Sequence, residues 1–490
     1  MEKFKLYIRA DGNAQMGLGH VIRSLALAEM LSADFDCHFL IRMPIRLLIP
    51  QIKAVCEELI VLPEPENDLA EADFLNHSVL PPESLVVLDG YHFTTEYQRL
   101  LKKARHTLVC IDDIHASPFL ADAVINHAGG AQPTDYETAD YTKLYLGLSY
   151  LLARSPFRAA ARKRVPLEMR EEAVFICFGG ADPNNETLTT LQKCEALPTL
   201  KKCYVILGSA YLHQEALDQF IAQSKLEIVK LNNLSAEEMV IYMQKCRAAI
   251  TSPSTVAYEY LSVGGILYLK VIADNQKEVY QHALSTGLAF ALEDYPQHDQ
   301  ELLQRALHLQ KQLLDGEQDK RLRQVFFDLL LQLRPATEED CELYFEWANE
   351  LETRKQSFNS DAIPFSVHEQ WFKEKLQDKH YQLYLCEVAG QPAGQVRLVD
   401  SEEGVLINYS VDKAFRGKRL GSLFLNRALH RFVENKATPE VTFIGYVKHN
   451  NMASNRTFEK LGFQREDATT YPDSYKYIKV LNYDRNNHWK

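Results

Sequence analysis

No apolar run in these 490 residues is long enough to span a bilayer, and the chain opens on strand and loop without the apolar core of a signal peptide. The nine cysteines are scattered, odd in number and without a C-x-x-C pair. That argues against a disulfide framework and for a reducing, cytoplasmic setting. A basic excess is also missing: 54 Lys and Arg stand against 66 Asp and Glu, a formal net charge of −12. Neither nucleic acid nor an anionic membrane is therefore expected as the main partner, though a local basic site for phosphates stays open. No H-E-x-x-H or comparable ligand set occurs, so no metal is required. There is no low-complexity tract, no short repeat and no Gly/Ser-rich spacer, so domains should abut rather than hang on a tether. What is present is 46% hydrophobic and 24% charged residues, the balance of a soluble globular chain, long enough for about three domains. Oligomeric state is not legible.

The chain is organised around Arg9-x-Asp11 and Gly17-x-Gly19-His20-x-x-Arg23. An apolar run over 5–8 reads as a first strand, and 21–31 as an amphipathic helix. Gly12, Gly17 and Gly19 allow positive φ and close backbone approach between them. Free N–H groups at the helix start favour an anionic ligand. His20 falls in the first helical turn, where the positive end of the helix dipole favours a neutral imidazole able to accept a proton. A plain βα loop with an incidental histidine reads equally well from the residues alone.

Those residues resemble the opening of the nucleotide-sugar hydrolases of pseudaminic acid synthesis, which cleave UDP from a diacetamido-trideoxy-altropyranose. The resemblance implies a GT-B fold of two Rossmann-like lobes, with His20 as general base and Asp11, Gly17, Gly19 and Arg23 binding substrate.

Strand-like runs at 37–41, 85–88, 107–111 and 123–125 alternate with helical patterns, which implies βαβ units and a parallel sheet in a first lobe over 1–155. Ligands sit beyond the carboxyl ends of such strands. There lie Asp89-Gly-Tyr91 and Asp112-Asp113; Tyr91 is a sugar-binding candidate. The aspartates could cap a helix, bind hydroxyls, orient His20, or, with His115, hold a metal. Gly147 to Phe157, through Tyr150 and Arg154, resembles the family's passage into the second lobe, 156–328. There Phe175 to Pro183 runs from strand into the turn Gly179-Gly180, a second phosphate cradle, and 204–209 repeats the pattern. Ser254 and Thr255 would cap a helix facing a diphosphate, with Glu259 one turn deeper to accept from a ribose diol. Pro253 stands where the family carries glycine. Asn275 and Gln276 match the family's Asn-Gln pair; a simple turn is the alternative.

A helical run over 301–327 closes the second lobe, and a strand from 329 opens a third domain, 329–490, with a helix over 337–351. Strands at 383–388, 395–399 and 404–411 lead to the basic glycine turn Phe415 to Ser422 and a helix through 432. A strand over 441–447 and Asn451-x-x-Ser454, then Phe458, Leu461-Gly462-Phe463, follow. These residues resemble the GNAT acetyltransferases. The resemblance implies acetyl-CoA as co-substrate, bound by Val411, Arg416, Gly417, Lys418, Arg419, Leu420, Gly421, Ser422, Asn451, Ser454 and Phe458. Arg419 replaces the loop's first glycine. Phe458 stands where many relatives place the tyrosine that protonates the thiolate, so the role is vacant or falls to Tyr471 or Tyr475. Trp347, Asn349, His368 and Trp371 resemble the substrate side of sugar-nucleotide acetyltransferases, though core packing suits Trp347 better. Asp412, Glu402, Glu403 and His449 are unranked candidates for the base.

Together the resemblances imply a bifunctional enzyme. It would acetylate the 4-amine of a UDP-amino-sugar and then hydrolyse the product to UDP and free sugar. The rivals are a GT-B glycosyltransferase fused to a sugar acetyltransferase, and a UDP-sugar-binding scaffold carrying an active GNAT domain.

Overall fold

The computed structural model describes residues 3–12, 17–297, 299–436 and 440–482. The chain divides into two compact units at Arg323 and Gln324.

The first unit holds two parallel sheets. Seven strands form one: β1 (Phe4–Ala10), β2 (Phe35–Arg42), β3 (Glu58–Leu62), β4 (Leu85–Asp89), β5 (Thr107–Ile111), β6 (Ala123–Asn126) and β7 (Lys143–Leu146). Their order is 3-2-1-4-5-6-7. Six form the other: β8 (Glu171–Cys177), β9 (Lys202–Leu207), β10 (Glu227–Asn232), β11 (Cys246–Thr251), β12 (Ile266–Leu269) and β13 (Phe290–Ala291), in the order 10-9-8-11-12-13. Both orders reverse direction beside the first strand of the set, which opens a crevice at the strands' carboxyl ends. The central strands are apolar and buried on both faces, as parallel sheets covered by helices require.

The second unit holds one mixed sheet: β14 (Leu331–Pro335), β15 (Tyr381–Val388), β16 (Gln391–Ser401), β17 (Gly404–Val411), β18 (Glu440–Lys448), β19 (Gln464–Asp467) and β20 (Ser474–Asn482). All neighbours are antiparallel except β17 and β18, which pair in parallel from Val405 to Ile407 and then part.

Three expected elements differ. The run over 301–327 is two helices, Gln300–Leu313 and Gln318–Leu330, broken at Gly316, whose φ is +79° and whose Cβ would lie 2.5 Å from the Arg158 carbonyl. The strand expected from 329 begins at Leu331, because the second helix runs through Leu330. The helix over 337–351 ends at Asn349, where the Glu350 side chain accepts from Thr353 N and starts a new helix, Leu351–Gln356. All nine cysteines are free and buried. Among the described residues no helix is long and apolar enough to cross a membrane.

Candidate functional site

β1 and β4 are central neighbours in register from Leu6–Leu85 to Ala10–Asp89, so the glycine turn after β1 and Asp89 share one sheet edge. Gly17 takes a φ of +81°. The helix Gly19–Leu31 follows at once, with no side-chain cap on its first N–H groups. His20 lies in its first turn and is 6% exposed. Its Nδ1 stands 2.7 Å from Asp89 Oδ1.

Asp89 is wholly buried. It also accepts from Ser24 Oγ at 3.0 Å and from Arg23, through Nη2 at 2.6 Å and Nε at 2.9 Å. Burial pushes its carboxyl up, but the Arg23 charge and the His20 hydrogen bond override that and leave it below the usual range. Arg23 Nη2 lies 3.0 Å from His20 Nδ1 as well. The ionised Asp89 carboxylate can only accept, so the 2.7 Å contact requires Nδ1 to carry the hydrogen and donate to Oδ1. The basic lone pair is then on Nε2, which makes no hydrogen bond among the described residues. The helix dipole is therefore not the nearest influence on this imidazole: a carboxylate and a guanidinium touch Nδ1 directly. Tyr91, 56% exposed, sets its ring perpendicular to His20 at 4.8 Å. Burial of the hydroxyl and the neighbouring Asp113 push its pKa up to about 12.

The paired aspartates diverge. Asp113 accepts from Arg23 Nη1 at 2.6 Å. Asp112 accepts from the N–H groups of Ile114 and His115 and from Tyr136 Oη, a turn-forming role. Neither orients His20. Among the described residues no group of three His, Cys, Asp or Glu could hold a metal. Asp11 is engaged too. Arg9 donates to both its oxygens at 2.6 and 2.7 Å, and Arg42 adds its backbone N–H and Nε. No oxygen is left for a sugar, so its place is structural. At the end of β6, His127 has an Nδ1 shut off from solvent and without a partner. Burial first, and Arg23 second, press its pKa down to about 4, which keeps it neutral.

In the second sheet the turn at Gly179-Gly180 is followed by Asp182, which accepts from Glu186 N and Thr187 N at 2.8 Å. That caps the next helix and takes the N–H groups a phosphate would need. Gly180 itself faces open space and packs under Gly208. The helix Thr255–Val263 is different: Ser254 sits at its N-cap, but its Oγ pairs with Ser252 Oγ at 3.0 Å and does not cap. Thr255 is exposed. Glu259 is buried and accepts Arg154 Nη2 at 2.6 Å and Nε at 3.0 Å, both on Oε1. Burial raises its pKa against the pull of Arg154. Tyr258, on the same helix, accepts from Gly129 N at 3.3 Å, and its ring faces His127 at 6.2 Å, so this helix and the end of β6 meet. Gln276 accepts from Ile272 N at 2.9 Å through Oε1, a turn closure that leaves its Nε2 without a partner among the described residues. The Asn275 side chain lies outside the described residues.

In the second unit a cavity of about 1300 Å³ opens where β17 and β18 part. Val411, the Arg416–Ser422 turn, Asn451, Ser454 and Phe458 line it, except Lys418. Arg416 donates to the Val411 carbonyl and to Glu350. Lys418 lies over the Phe327 ring. Gly417 has a φ of +80°, and Arg419, in the glycine's place, has +60°. The backbone thus keeps the glycine conformation without the glycine. The helix Leu420–Lys436 starts there, and a Cβ on Gly421 would lie 2.9 Å from the Tyr409 ring. Asn451 caps the helix Met452–Lys460 by accepting from Ser454 N, and Tyr409 donates to Ser454 Oγ at 3.1 Å.

Several expectations fail here. Tyr471 stacks on Phe358, Tyr475 packs tilted against His449, and neither lines the cavity; Tyr344, Tyr409 and Tyr446 do. None of Asp412, Glu402, Glu403 and His449 reaches it. Asp412 accepts from Trp347 Nε1 at 2.8 Å and from Ala414 N, while the two glutamates sit in the exposed β16–β17 turn. Trp347 is core, and Asn349 ties to both backbone groups of Ile363. His368 and Trp371 do line the cavity. Four residues complete the picture: Asp89 and Arg154, whose pairing with His20 and Glu259 the sequence patterns do not show, and His127 and Arg397, which they do not mark. Only the strand-end position of Asp89 could have signalled its role.

The family model described as Acetyltransferase (GNAT) domain matches residues 331–464. An uncharacterized protein of Methanocaldococcus jannaschii is 23% identical over 494 residues, covering 94% of this chain and 97% of that one. The UDP-2,4-diacetamido-2,4,6-trideoxy-β-L-altropyranose hydrolase of Campylobacter jejuni subsp. jejuni is 26% identical over 270 residues, 52% of this chain and 88% of the hydrolase. The spore coat polysaccharide biosynthesis protein SpsG of Bacillus subtilis is 24% identical over 263 residues, 52% of this chain and 74% of that protein. The chain thus joins a segment homologous to these last two proteins to a C-terminal acetyltransferase (GNAT) domain.

Proposed function

We propose that the chain is a bifunctional enzyme of pseudaminic acid synthesis, acetylating the 4-amine of UDP-4-amino-4,6-dideoxy-N-acetyl-β-L-altrosamine and then hydrolysing the diacetamido product to UDP and free sugar. The observation that carries the hydrolytic half is the His20 imidazole held by Asp89 at the carboxyl edge of the first sheet. The likeness to the Campylobacter hydrolase supports it. In this reading the two parallel sheets are GT-B lobes, and the uncapped helix at Ser254 and Thr255 receives the diphosphate. Glu259 takes the ribose, and Gly17, Gly19, Arg23, Tyr91, Gly180, Asn275 and Gln276 shape the sugar side.

His20 Nε2 removes a proton from water while Asp89 stabilises the resulting imidazolium through Nδ1–H. The water oxygen bonds to the anomeric carbon as the bond to the UDP oxygen breaks, inverting that carbon. In the acetyltransferase half, acetyl-CoA lies along the parted strands with its pyrophosphate at Arg416–Ser422. The amine attacks the thioester carbon, the C–S bond breaks, and the thiolate takes a proton.

The test is to supply the 4-amino UDP-sugar and acetyl-CoA in ¹⁸O-water and follow thiol and UDP separately. Thiol release should precede UDP release, UDP release should need the acetylated sugar, and ¹⁸O should appear on the anomeric carbon of the inverted free sugar. UDP release that waits on a second sugar, or carries no ¹⁸O into the product, rejects hydrolysis.

A further inference from the structure

Arg397 is a half-buried cation with no carboxylate partner among the described residues. It stands on β16 opposite Asn408 of β17, the first β17 residue beyond the pairing with β18. Its guanidinium lines the large cavity. Its Nε is shut off from solvent with no partner, and the group makes no hydrogen bond or ion pair among the described residues. Trp371 covers one face at 5.2 Å. The ionisable neighbours that act on it are the phenols of Tyr381 and Tyr344, not carboxylates, and burial depresses its pKa. The buried arginines Arg9 and Arg170 are satisfied, the first by Asp11 and Glu71, the second by backbone carbonyls. His368, 5.5 Å from Trp371, adds a second buried nitrogen without a partner, Nε2.

The two faces of the sheet divide the cavity. Side chains alternate along a strand, so Arg397 and Gln395 share one face and Val396 the other. Tyr409, paired with Val396, packs by Gly421 and Ser454 on the side of the basic glycine turn. Gln395 donates to Ser410 Oγ on the opposite side, the side of Trp371. Arg397 is therefore across the sheet from the turn that would hold the coenzyme's pyrophosphate. A fixed cation held out of water is stabilised by an anion that arrives with a ligand, and a guanidinium suits an oxyanion in two-point contact.

We infer that Arg397 is the recognition site for an oxyanion on the acceptor amine, with Trp371 as its stacking wall. The acetyltransferase half then selects anionic amines. The inference rests on the acetyltransferase reading above but not on the hydrolase half. A sugar-linked phosphate and a carboxylate share this chemistry.

Three amines distinguish the sources on the intact chain: the 4-amino UDP-sugar, the free 4-amino-sugar, and an amino-uronic acid, with thiol release as readout. In Arg397→Gln, kcat/KM for the preferred anionic amine should fall roughly 10- to 100-fold, mainly through KM. The KM for acetyl-CoA and the rate on the neutral amine should stay as they are. Arg397→Lys should recover part of the loss. Loss confined to the UDP-linked amine assigns the site to phosphate, and loss confined to the uronic acid assigns it to carboxylate. Equal loss on all three, or none, overturns the inference. Thermal stability is the second readout: removing a half-buried charge whose Nε has no partner leaves Tm unchanged or raises it, whereas a structural arginine would lower it. Should no amine be acetylated, the acetyltransferase reading fails. Calorimetry with inorganic phosphate on the CoA-saturated chain then decides for Arg397 alone: a phosphate site lost in Arg397→Gln upholds it, and identical isotherms reject it.

Discussion

His20 Nδ1 and Asp89 Oδ1 lie 2.7 Å apart although 69 residues separate them in sequence. A buried carboxylate that also binds Arg23 and Ser24 fixes which nitrogen of the ring stays basic. Asp89→Asn should therefore keep the shape but favour the wrong tautomer, lowering the rate of UDP release about 10³- to 10⁴-fold. Arg23 would lose its main counter-charge, so the first unit should also lose about 3 kcal/mol or more. Thiol release should be unaffected. Steady-state assays of both products, with a thermal melt, check this.

Acid should destabilise the first unit in two windows. Burial pushes the Asp11 carboxyl up, but hydrogen bonds from Arg9 and Arg42 override it and hold it at about 2. Its folded pKa is below the unfolded value near 3.9, so its stabilisation, about 2.5 kcal/mol, is complete above about pH 4 and is lost as pH falls toward 2. His127 is held at about 4, below the unfolded value near 6.5. The unfolded chain takes up that proton first, so stability declines as pH falls from about 6.5 to about 4. Denaturant melts across pH should show both slopes; His127→Asn should lessen the upper one, which His92, also held at about 4 by burial, shares, and Asp11→Asn should lessen the lower.

Glu259 and Arg154 form the corresponding pair in the second sheet, 105 residues apart. With Glu259 on a ribose diol, Glu259→Gln should raise KM for the UDP-sugar about tenfold and leave kcat within about twofold. An equal fall in kcat would move Glu259 out of the binding role.

Arg419 holds a φ of +60°. Arg419→Gly should relieve about 1 kcal/mol of backbone strain while loosening the unfolded chain by a similar amount, so Tm should hardly change. Arg419→Val, β-branched, should lower stability by about 1–2 kcal/mol. Thermal melts of the intact variants decide, with the KM for acetyl-CoA reporting whether the side chain also serves the pyrophosphate.

These pairs explain what the sequence could and could not reveal. β4, β5 and β8 are buried on both faces and stand out as continuous apolar runs. The sheet-edge strands β3 and β10 are both half-exposed; β10 carries no such run, whereas β3 does, from Leu59 to Leu62. Glycine turns and helix starts are local, so the positions of His20 and Ser254 were legible. Partners were not, because Asp89, Arg154 and Asp182 are chosen by the fold. Asp112, open in sequence to turn formation, hydroxyl binding or orienting His20, turns into its own loop, since short side chains after a strand bond neighbouring N–H groups first. Arg397 is a residue defined by what does not surround it, and a spacing pattern carries no such information.

In the proposed reaction one imidazole turns water into the nucleophile while acetylation proceeds elsewhere in the chain. The most direct measurement of this is His20→Ala, with 4-amino UDP-sugar and acetyl-CoA supplied together and both products timed. The account predicts thiol release at the unaltered rate, accumulation of the diacetamido UDP-sugar, and UDP release reduced at least about 10³-fold. UDP release at the original rate, or loss of both products together, would contradict it.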